Sequence, residues 1–285
     1  MASCPHRDSK ITSMQVESCC QALLKEILPE IDPDRKGVCV DVGVGTFAFY
    51  CELFAKLGFQ TIAVEPSPVK KLEKLCERQP IKLVEACLSD KNGTQTLYMG
   101  NFASMANENF NSLEPAWFGS SPDTKEVKAL DLLTFLSDTN IEKLTCLKLD
   151  IEGWEPVVMK QLPEISPEQL PQILMFEYGG GSPRSQGGKG WSESFLEGTM
   201  LCLETLKNCG YGFSILIDYA HEAAPKILDL QTQTLTPDEV FLENALYGNI
   251  ISFREGTFSE EAIAKICKPY KGGVINWLVG KAVSK

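Results

Sequence analysis

The chain has 285 residues, of which 44% are hydrophobic and 23% are charged, and its formal net charge is −11. A chain of this size and composition is globular and long enough for one large domain, with or without a smaller cap. Because nucleic-acid binding depends on clustered Lys and Arg, the acidic balance argues against a nucleic-acid partner and leaves small molecules or proteins.

The cysteines and the N-terminus indicate the cellular compartment. Eleven cysteines are scattered without a CxxC pair, many of them in apolar surroundings, which predicts reduced, buried thiols. The N-terminus lacks the apolar stretch of a signal peptide, and no apolar run approaches the roughly 20 residues that a membrane span needs. We therefore expect a cytoplasmic protein without a membrane partner.

The first predicted elements alternate between helices and strands. Residues 13–31 place apolar side chains at helical spacing before Pro33, which predicts an amphipathic helix after a polar tail. Next come a strand at 37–42, a helix at 46–57, a strand at 60–65, a helix at 67–78 and a strand at 81–88. This alternation predicts a parallel sheet with helices on both faces.

The alternation is then interrupted and resumes. Residues 90–101 predict a hairpin or an edge strand, and residues 101–124 have no period and predict a functional loop. The later predicted elements are helices at 129–138, 155–162 and 194–210 and strands at 144–152, 172–178, 211–218 and 247–255. We expect a tail and helix over 1–35, and over 36–285 a single α/β domain with a doubly wound, mostly parallel seven-stranded sheet, its last two strands partly antiparallel.

A glycine turn follows the first predicted strand. Gly43, Gly45 and Ala48 fit the pattern G-x-G-x-x-G/A. Glu65 ends the next strand, where its carboxylate can accept hydrogen bonds from a ribose diol, and the helix N-terminus near Thr46 favours an anionic group. The pattern predicts a nucleoside-cofactor site, but it does not distinguish NAD from S-adenosylmethionine.

Asp41 lies inside the first predicted strand, two residues before the glycine turn. Its carboxylate would repel the pyrophosphate of NAD, whereas the ammonium and sulfonium groups of S-adenosylmethionine are complementary to it. Asp41 therefore favours the methyl donor. The alternative is a structural carboxylate that caps backbone N–H groups.

The segment LKLDIEGWE, residues 147–155, places Lys148, Asp150 and Glu152 on one face of an extended strand. Ionisable groups at the carboxyl end of a central strand suit the crevice where doubly wound sheets bind ligands. The alternative is an internal ion pair between Lys148 and Glu152 that only fixes the strand.

Four blocks of the sequence together resemble one family. They are VCVDVGVGTFAFYCELFAKLGFQTIAVEPSP, VEACLSDKNGTQTLYM, VKALDLLTFL and CLKLDIEGWEPVVMKQLPEI with the later QILMFEY. In order and spacing they resemble the FkbM-type methyltransferases over about residues 36–178. The resemblance implies a class I methyltransferase fold, S-adenosylmethionine as cofactor, and methyl transfer, usually to an oxygen of a small molecule, without an obligatory metal.

The resemblance also implies roles for individual residues. Asp41, Gly43 and Gly45 would hold the methionine part of the donor, with the loop departing from the usual family residues at Val44 and Thr46. Glu65 would hold the ribose, and Asp150 and Glu152 would lie near the methyl group. The remaining predicted donor-binding residues are Thr46, Pro66 and Ser67, with Cys87, Ser89 and Asp90 beside the adenine.

The choice of a base bears on the acceptor, because an alcohol must lose a proton during methyl transfer and a carboxylate need not. His6 lies in the polar tail, so His221 is the only imidazole positioned as a base, although its position just past a predicted strand favours an exposed loop residue. The carboxylate candidates are Asp150, Glu152 and Glu177.

Two segments are predicted to cover the site, the loop 101–124 and the glycine-rich loop 179–190. The first carries aromatic residues that either bind an apolar acceptor or pack against the domain: Phe102, Phe110, Trp117 and Phe118. We therefore expect a methyltransferase that acts on a hydroxyl or carboxyl oxygen of a secondary metabolite, sugar or modified peptide. An NAD-dependent oxidoreductase and a non-catalytic cofactor-binding module are the alternatives.

Overall fold

The computed structural model describes residues 13–102 and 105–272; His6 and the side chain of Phe102 lie outside the described part. The α-helices are α1 Val16–Ile31, α2 Phe49–Lys56, α3 Lys70–Arg78, α4 Leu132–Thr139, α5 Glu155–Met159, α6 Glu193–Asn208, α7 Pro237–Val240 and α8 Glu260–Cys267. The strands are β1 Val38–Val42, β2 Gln60–Val64, β3 Ile81–Val84, β4 Cys87–Leu88, β5 Gly93–Phe102, β6 Met105–Ala106, β7 Ser120–Leu130, β8 Leu144–Leu149, β9 Ile173–Gly179, β10 Phe213–Asp218, β11 Lys226–Asp229 and β12 Tyr247–Phe253.

The main sheet has eight strands in the order β11-β10-β12-β9-β8-β1-β2-β3. Neighbours from β3 to β9 are parallel, whereas β12, β10 and β11 join by antiparallel pairing. The α/β architecture is as expected, but the prediction of seven strands is wrong, because β11 adds an edge strand. Its sequence, KILD, has only four residues and a charge at each end, so it gives no clear strand pattern.

The direction of winding reverses at β1. Strands β2 and β3 lie on one side of it, and β8 and β9 lie on the other. Both β1 and β8 are buried along their whole length, so their apolar side chains join the core on the two faces of the sheet. In sheets of this kind ligands bind in the crevice beyond the carboxyl ends of the strands at the reversal. This places the candidate site above β1 and β8.

A second, four-stranded sheet has the order β4-β7-β5-β6. It corrects the prediction that residues 101–124 form an unstructured loop, because the described part includes β6, a 3-10 turn at Glu108–Phe110 and the start of β7. Strand β7 pairs antiparallel with β5. The first half of β7 is mostly exposed. Because neither of its faces is buried there, the sequence does not show the alternation of apolar and polar residues by which a strand is recognised.

Helix α1 packs its apolar face, including Leu23, Leu24 and Ile27, into the main core. A disulfide joins Cys19 of α1 to Cys267 of α8. This corrects the expectation that all the thiols are reduced; 248 residues separate the two cysteines, so their spacing gave no signal. None of the helices in the described part is long and apolar enough to cross a bilayer.

Candidate active site

A cavity of about 470 Å³ opens at the carboxyl ends of β1, β2, β8 and β9. One half is lined by the glycine turn after β1, together with Glu65, Pro66 and Cys87. The other half is lined by residues after β8 and β9 and by Glu17 of α1. Its volume is within the range of small-molecule and cofactor sites, and it lies at the reversal of the sheet as predicted from the fold.

Asp41 has a partner of opposite charge on the neighbouring strand. The two residues face each other in the β1–β8 register, and Lys148 Nζ lies 3.0 Å from Asp41 Oδ1. Cys51 Sγ donates a hydrogen bond of 3.3 Å to Asp41 Oδ2. The buried carboxylate is therefore compensated inside the protein, and its predicted contact with a donor stays a prediction.

Lys148 is shared between two carboxylates. Its Nζ also lies 3.2 Å from Asp150 Oδ2, and it lies 5.0 Å from the ring centroid of Tyr50. Burial acts to lower the pKa of Lys148, but the charges of Asp150 and Asp41 outweigh it and raise the pKa above its ordinary value. The alternative of an ion pair with Glu152 is wrong, because both ion-pair partners of the lysine are aspartates.

The glycine turn is held by backbone contacts that exclude a side chain. Gly43 has a φ of +75°, and a Cβ built there would lie 1.7 Å from the carbonyl oxygen of Asp150. The N–H of Gly45 donates 3.0 Å to Glu65 Oε2, while Glu65 Oε1 accepts from the N–H of Ser67. Burial raises the pKa of Glu65 in spite of these two bonds. The predicted contact of Glu65 with a ribose remains a prediction.

Asn109, from the 3-10 turn Glu108–Phe110, also contacts the glycine turn. Its Oδ1 accepts a hydrogen bond of 2.8 Å from the N–H of Thr46, and the residue lines the cavity. The helix N-terminus was predicted near Thr46, but α2 begins at Phe49, and the N–H of Thr46 is satisfied by a neutral amide oxygen. Asn109 was not predicted as a site residue, because a residue 63 positions away in an unpatterned segment gives no sign of this contact.

The turn after β8 has an unusual backbone. Glu152 has a φ of +56°, and Gly153 follows with a φ of +90°. The carboxylate of Glu155 accepts from the N–H groups of Ile151 at 2.7 Å and Gly153 at 3.0 Å. Burial raises the pKa of Glu155 to about 7. This carboxylate, which sequence analysis did not single out, fixes the turn that carries Asp150 and Glu152.

Three carboxylates meet above β8 and β9. Oxygen atoms of Asp150, Glu152 and Glu177 all lie within 4.8 Å of one another. Burial, followed by the charge of Asp150, raises the pKa values of Glu152 and Glu177 well above the ordinary value. Such a group either retains a proton or binds a cation, and it can accept a proton from a bound hydroxyl.

Glu17 of α1 adds a fourth carboxylate to this half of the cavity. It accepts hydrogen bonds from the hydroxyl of Tyr50 at 2.7 Å and from Asn249 Nδ2 at 2.9 Å. Burial, and then the charge of Asp150, raises its pKa. Glu17 was not predicted as a site residue, because in the sequence it belongs to the polar face of an ordinary amphipathic helix.

The structure brings together most of the predicted site residues. Those that line the cavity are Asp41, Gly43, Gly45, Glu65, Pro66, Cys87, Asp150, Glu152 and Glu177. Those that do not line it are Thr46, Ser67, Ser89, Asp90 and His221. The prediction of His221 as a base is corrected, because it is exposed beside Ser13, outside the cavity. Ser89 is fully buried and accepts hydrogen bonds from two glutamine side chains.

The two predicted covering segments contact each other. A Cβ on Gly180 or Gly181 would lie 2.7 Å or 2.8 Å from the ring of Phe118. Phe118 in turn packs against Phe110 and Trp117, with ring centroids 5.7 Å and 4.7 Å apart. All three rings also line the cavity, so they both pack against neighbouring residues and face the space that a ligand would occupy. That the two segments close over the site as lids remains a prediction.

A second cavity of about 450 Å³ lies beside the first, between β9, α5 and α6. The walls that the two cavities share are Trp117, Glu152, Trp154, Glu177 and Gly179. Glu152 and Glu177 therefore lie between the two cavities, the first of which is next to the glycine turn.

Comparison with known proteins identifies the family. The sequence model of one family, described as the methyltransferase FkbM domain, matches residues 36–230, which is more than half of the chain. No curated protein and no solved structure matches the chain. The matched range includes the glycine turn and the three carboxylates, whereas Glu17 precedes it. The chain therefore belongs to the FkbM methyltransferase domain family.

Proposed function

We propose that the protein is an S-adenosylmethionine-dependent O-methyltransferase that acts on a hydroxyl oxygen of a small molecule or modified peptide. The observation that carries the proposal is the group of Asp150, Glu152 and Glu177, whose oxygens lie within 4.8 Å of one another in the cavity that the glycine turn also lines. A hydroxyl acceptor requires a base, and a carboxylate beside the reacting oxygen serves as one.

The donor half of the cavity fits S-adenosylmethionine. Asn109, which lines the cavity, accepts from the N–H of Thr46 through a neutral amide oxygen, and a ligand carboxylate that displaces this side chain would replace it as the acceptor. Gly43 and Gly45 keep the turn free of side chains. Glu65 would hold the ribose with the lone pairs that its two backbone bonds leave, and Cys87 would border the adenine. When bound, the donor supplies a methyl group on a positively charged sulfur, which becomes a neutral thioether after transfer.

The residues after β8 and β9 act on the acceptor. Glu177 has a raised pKa, so its carboxylate has more affinity for a proton than an exposed glutamate. We assign it the role of taking the hydroxyl proton as the new carbon–oxygen bond forms. Asp150, held by Lys148 at 3.2 Å, and Glu152, held on the turn fixed by Glu155, orient the acceptor oxygen. Orientation of this kind and general base catalysis are the two contributions that the protein makes.

The proposal is tested by calorimetric titration of S-adenosylhomocysteine, with NADH as the matched control ligand. We expect S-adenosylhomocysteine to bind and to raise the melting temperature, because a ligand of the native state stabilises it, and we expect no effect of NADH. No binding at about 1 mM ligand, or tighter binding of NADH, would contradict the assignment.

The role of Glu177 is tested with methyl-labelled S-adenosylmethionine and any acceptor that becomes labelled. Glu177→Gln should lower kcat by about 10²–10⁴-fold and leave the affinity for S-adenosylhomocysteine nearly unchanged. The exposed Glu204→Gln on α6 is the control variant. Unchanged turnover in Glu177→Gln would remove the base from the mechanism.

A further inference from the structure

The cavity has a strong excess of acidic over basic side chains. Among the described residues that line the whole cavity, the acids are Glu17, Asp41, Glu65, Glu108, Asp150, Glu152 and Glu177, and the only base is Lys148. Lys148 already forms ion pairs with Asp41 at 3.0 Å and with Asp150 at 3.2 Å, so it does not compensate the other acids. A bound donor adds one net positive charge at most, so it leaves most of these acids uncompensated.

Three of the acids without a cationic partner lie away from the glycine turn. Glu17 comes from α1, Glu152 from the turn after β8, and Glu177 from β9. None of these three takes part in a salt bridge within the described part of the chain. Burial, and then the charge of Asp150, raises the pKa of each of them, and the opposing charge of Lys148 on Glu17 and Glu152 does not offset that rise.

The second cavity has the same excess of acidic residues in its lining. Its lining shares Glu152 and Glu177 with the first cavity and adds Glu114, Glu155 and Glu197, against Lys160 as the one basic residue among the described lining. An acceptor that extends from the donor site into either chamber therefore meets carboxylates. A carboxylate acceptor would be repelled in both places.

Aromatic rings form part of the same walls. Tyr219 and Tyr247 stack with ring centroids 5.3 Å apart, and Trp117 is only 7% exposed. All three line the cavity, together with Phe118. Aromatic faces combined with carboxylates are the surroundings in which proteins bind ammonium groups, because the electron-rich faces attract the cation without a hydrogen bond.

We propose that the acceptor carries a cationic ammonium group beside the hydroxyl that is methylated, and that Glu17, Glu152 and the surrounding rings bind this group, while Glu177 adds its charge and takes the hydroxyl proton. The inference rests on the proposed function and names the class of its substrate, an amino alcohol or a larger molecule with that arrangement. The inference also distinguishes between the two kinds of oxygen acceptor, because a carboxylate acceptor would be repelled and a hydroxyl acceptor would not.

The experiment compares three probes of one shape by calorimetry, with S-adenosylhomocysteine present at saturation: choline, its neutral isostere 3,3-dimethyl-1-butanol, and the anionic 3,3-dimethylbutanoate. We expect choline to bind at least about tenfold more tightly than the neutral isostere, and the anion not to bind. Glu177→Gln and Glu17→Gln should each reduce the preference for choline, while the exposed Glu204→Gln should retain it.

Equal affinities for the three probes, tighter binding of the anion, or no binding of choline would overturn the inference. A metal site would also overturn it. In that case Mg²⁺ would raise the melting temperature and prevent choline from binding, and Glu177→Gln would abolish the effect of Mg²⁺. Failure of the proposed function is distinguished from these outcomes, because it appears earlier, as absent binding of S-adenosylhomocysteine.

Discussion

The ammonium of Lys148 lies 3.0 Å from Asp41 Oδ1, and the two residues face each other on adjacent strands of the parallel sheet. Their side chains are 3% and 2% exposed, so removing one partner leaves an uncompensated charge in the core. Lys148→Met should lower the free energy of unfolding by about 3–5 kcal/mol, which urea denaturation measures.

A second substitution separates charge from packing. Adding Asp41→Asn to Lys148→Met should recover part of the lost stability, because it removes the orphaned carboxylate. The exposed pair Lys36 and Asp34, 2.7 Å apart, is the control, and Lys36→Met should leave the denaturation midpoint nearly unchanged. Equal losses in the Lys148 single and double variants would show that the lysine stabilises the protein by packing alone.

Gly43 should be indispensable for donor binding. A Cβ at this position would lie 1.7 Å from the carbonyl oxygen of Asp150, so Gly43→Ala must push apart the ends of β1 and β8. A displacement of about 1 Å near reacting groups can lower turnover by about 100-fold, and we expect the affinity for S-adenosylhomocysteine to fall as well.

The matched control for Gly43 is Gly58, which also has a positive φ, +85°, but has nothing within 4 Å of the added Cβ. Gly58→Ala carries the same kind of backbone strain and should leave ligand affinity unchanged. Circular dichroism and denaturation confirm that both variants fold. If a folded Gly43→Ala binds S-adenosylhomocysteine as tightly as Gly58→Ala, the glycine turn is not part of the donor site.

The sequence predicted those parts of the fold that have a strong local pattern. Helix α4 is an example: Asp131 caps its first turn by accepting from the N–H of Thr134, and Asn140 ends it in the left-handed conformation with a φ of +55°. The strands β1, β8 and β9 were also found, because buried parallel strands are continuous apolar runs. The mostly exposed first half of β7 and the short β11 have no such pattern and were missed.

Site residues could be predicted from the sequence only where a residue type is unusual for its position in a buried element. Asp41, Asp150 and Glu177 attracted attention because carboxylates are costly at the ends of buried strands. Glu17, Asn109 and Glu155 look ordinary in their own segments and gain their roles from contacts across the fold. The partner of Asp41 was missed for the same reason, since the strand register that brings Lys148 to it is a property of the folded sheet.

Glu155 should make stability depend on pH. Burial raises its pKa from 4.5 to about 7, so between these values the native state binds more protons than the unfolded state. Stability from this group is therefore fully present below about pH 4.5 and is lost as the pH rises towards 7 and above. The lost contribution is up to about 3 kcal/mol.

Glu155→Gln removes the titration and keeps an amide oxygen for one of the two backbone N–H groups. The difference in unfolding free energy between the native protein and this variant should therefore shift in favour of the variant from pH 5 to pH 8. Urea denaturation at several pH values measures it. Parallel curves for the two proteins would mean that Glu155 titrates alike in the folded and unfolded chains.

The disulfide between Cys19 and Cys267 should stabilise the position of α1, and with it Glu17 two residues earlier. It closes most of the chain into one loop, so its removal should cost about 2–5 kcal/mol. Dithiothreitol should lower the melting temperature of the native protein and have no effect on the double variant Cys19→Ser, Cys267→Ser. Cys76→Ser, which alters a half-buried free thiol, is the control and should respond to dithiothreitol as the native protein does. Alkylation of both cysteines in the unreduced, unfolded protein, read by mass spectrometry, would show that the bond is not formed.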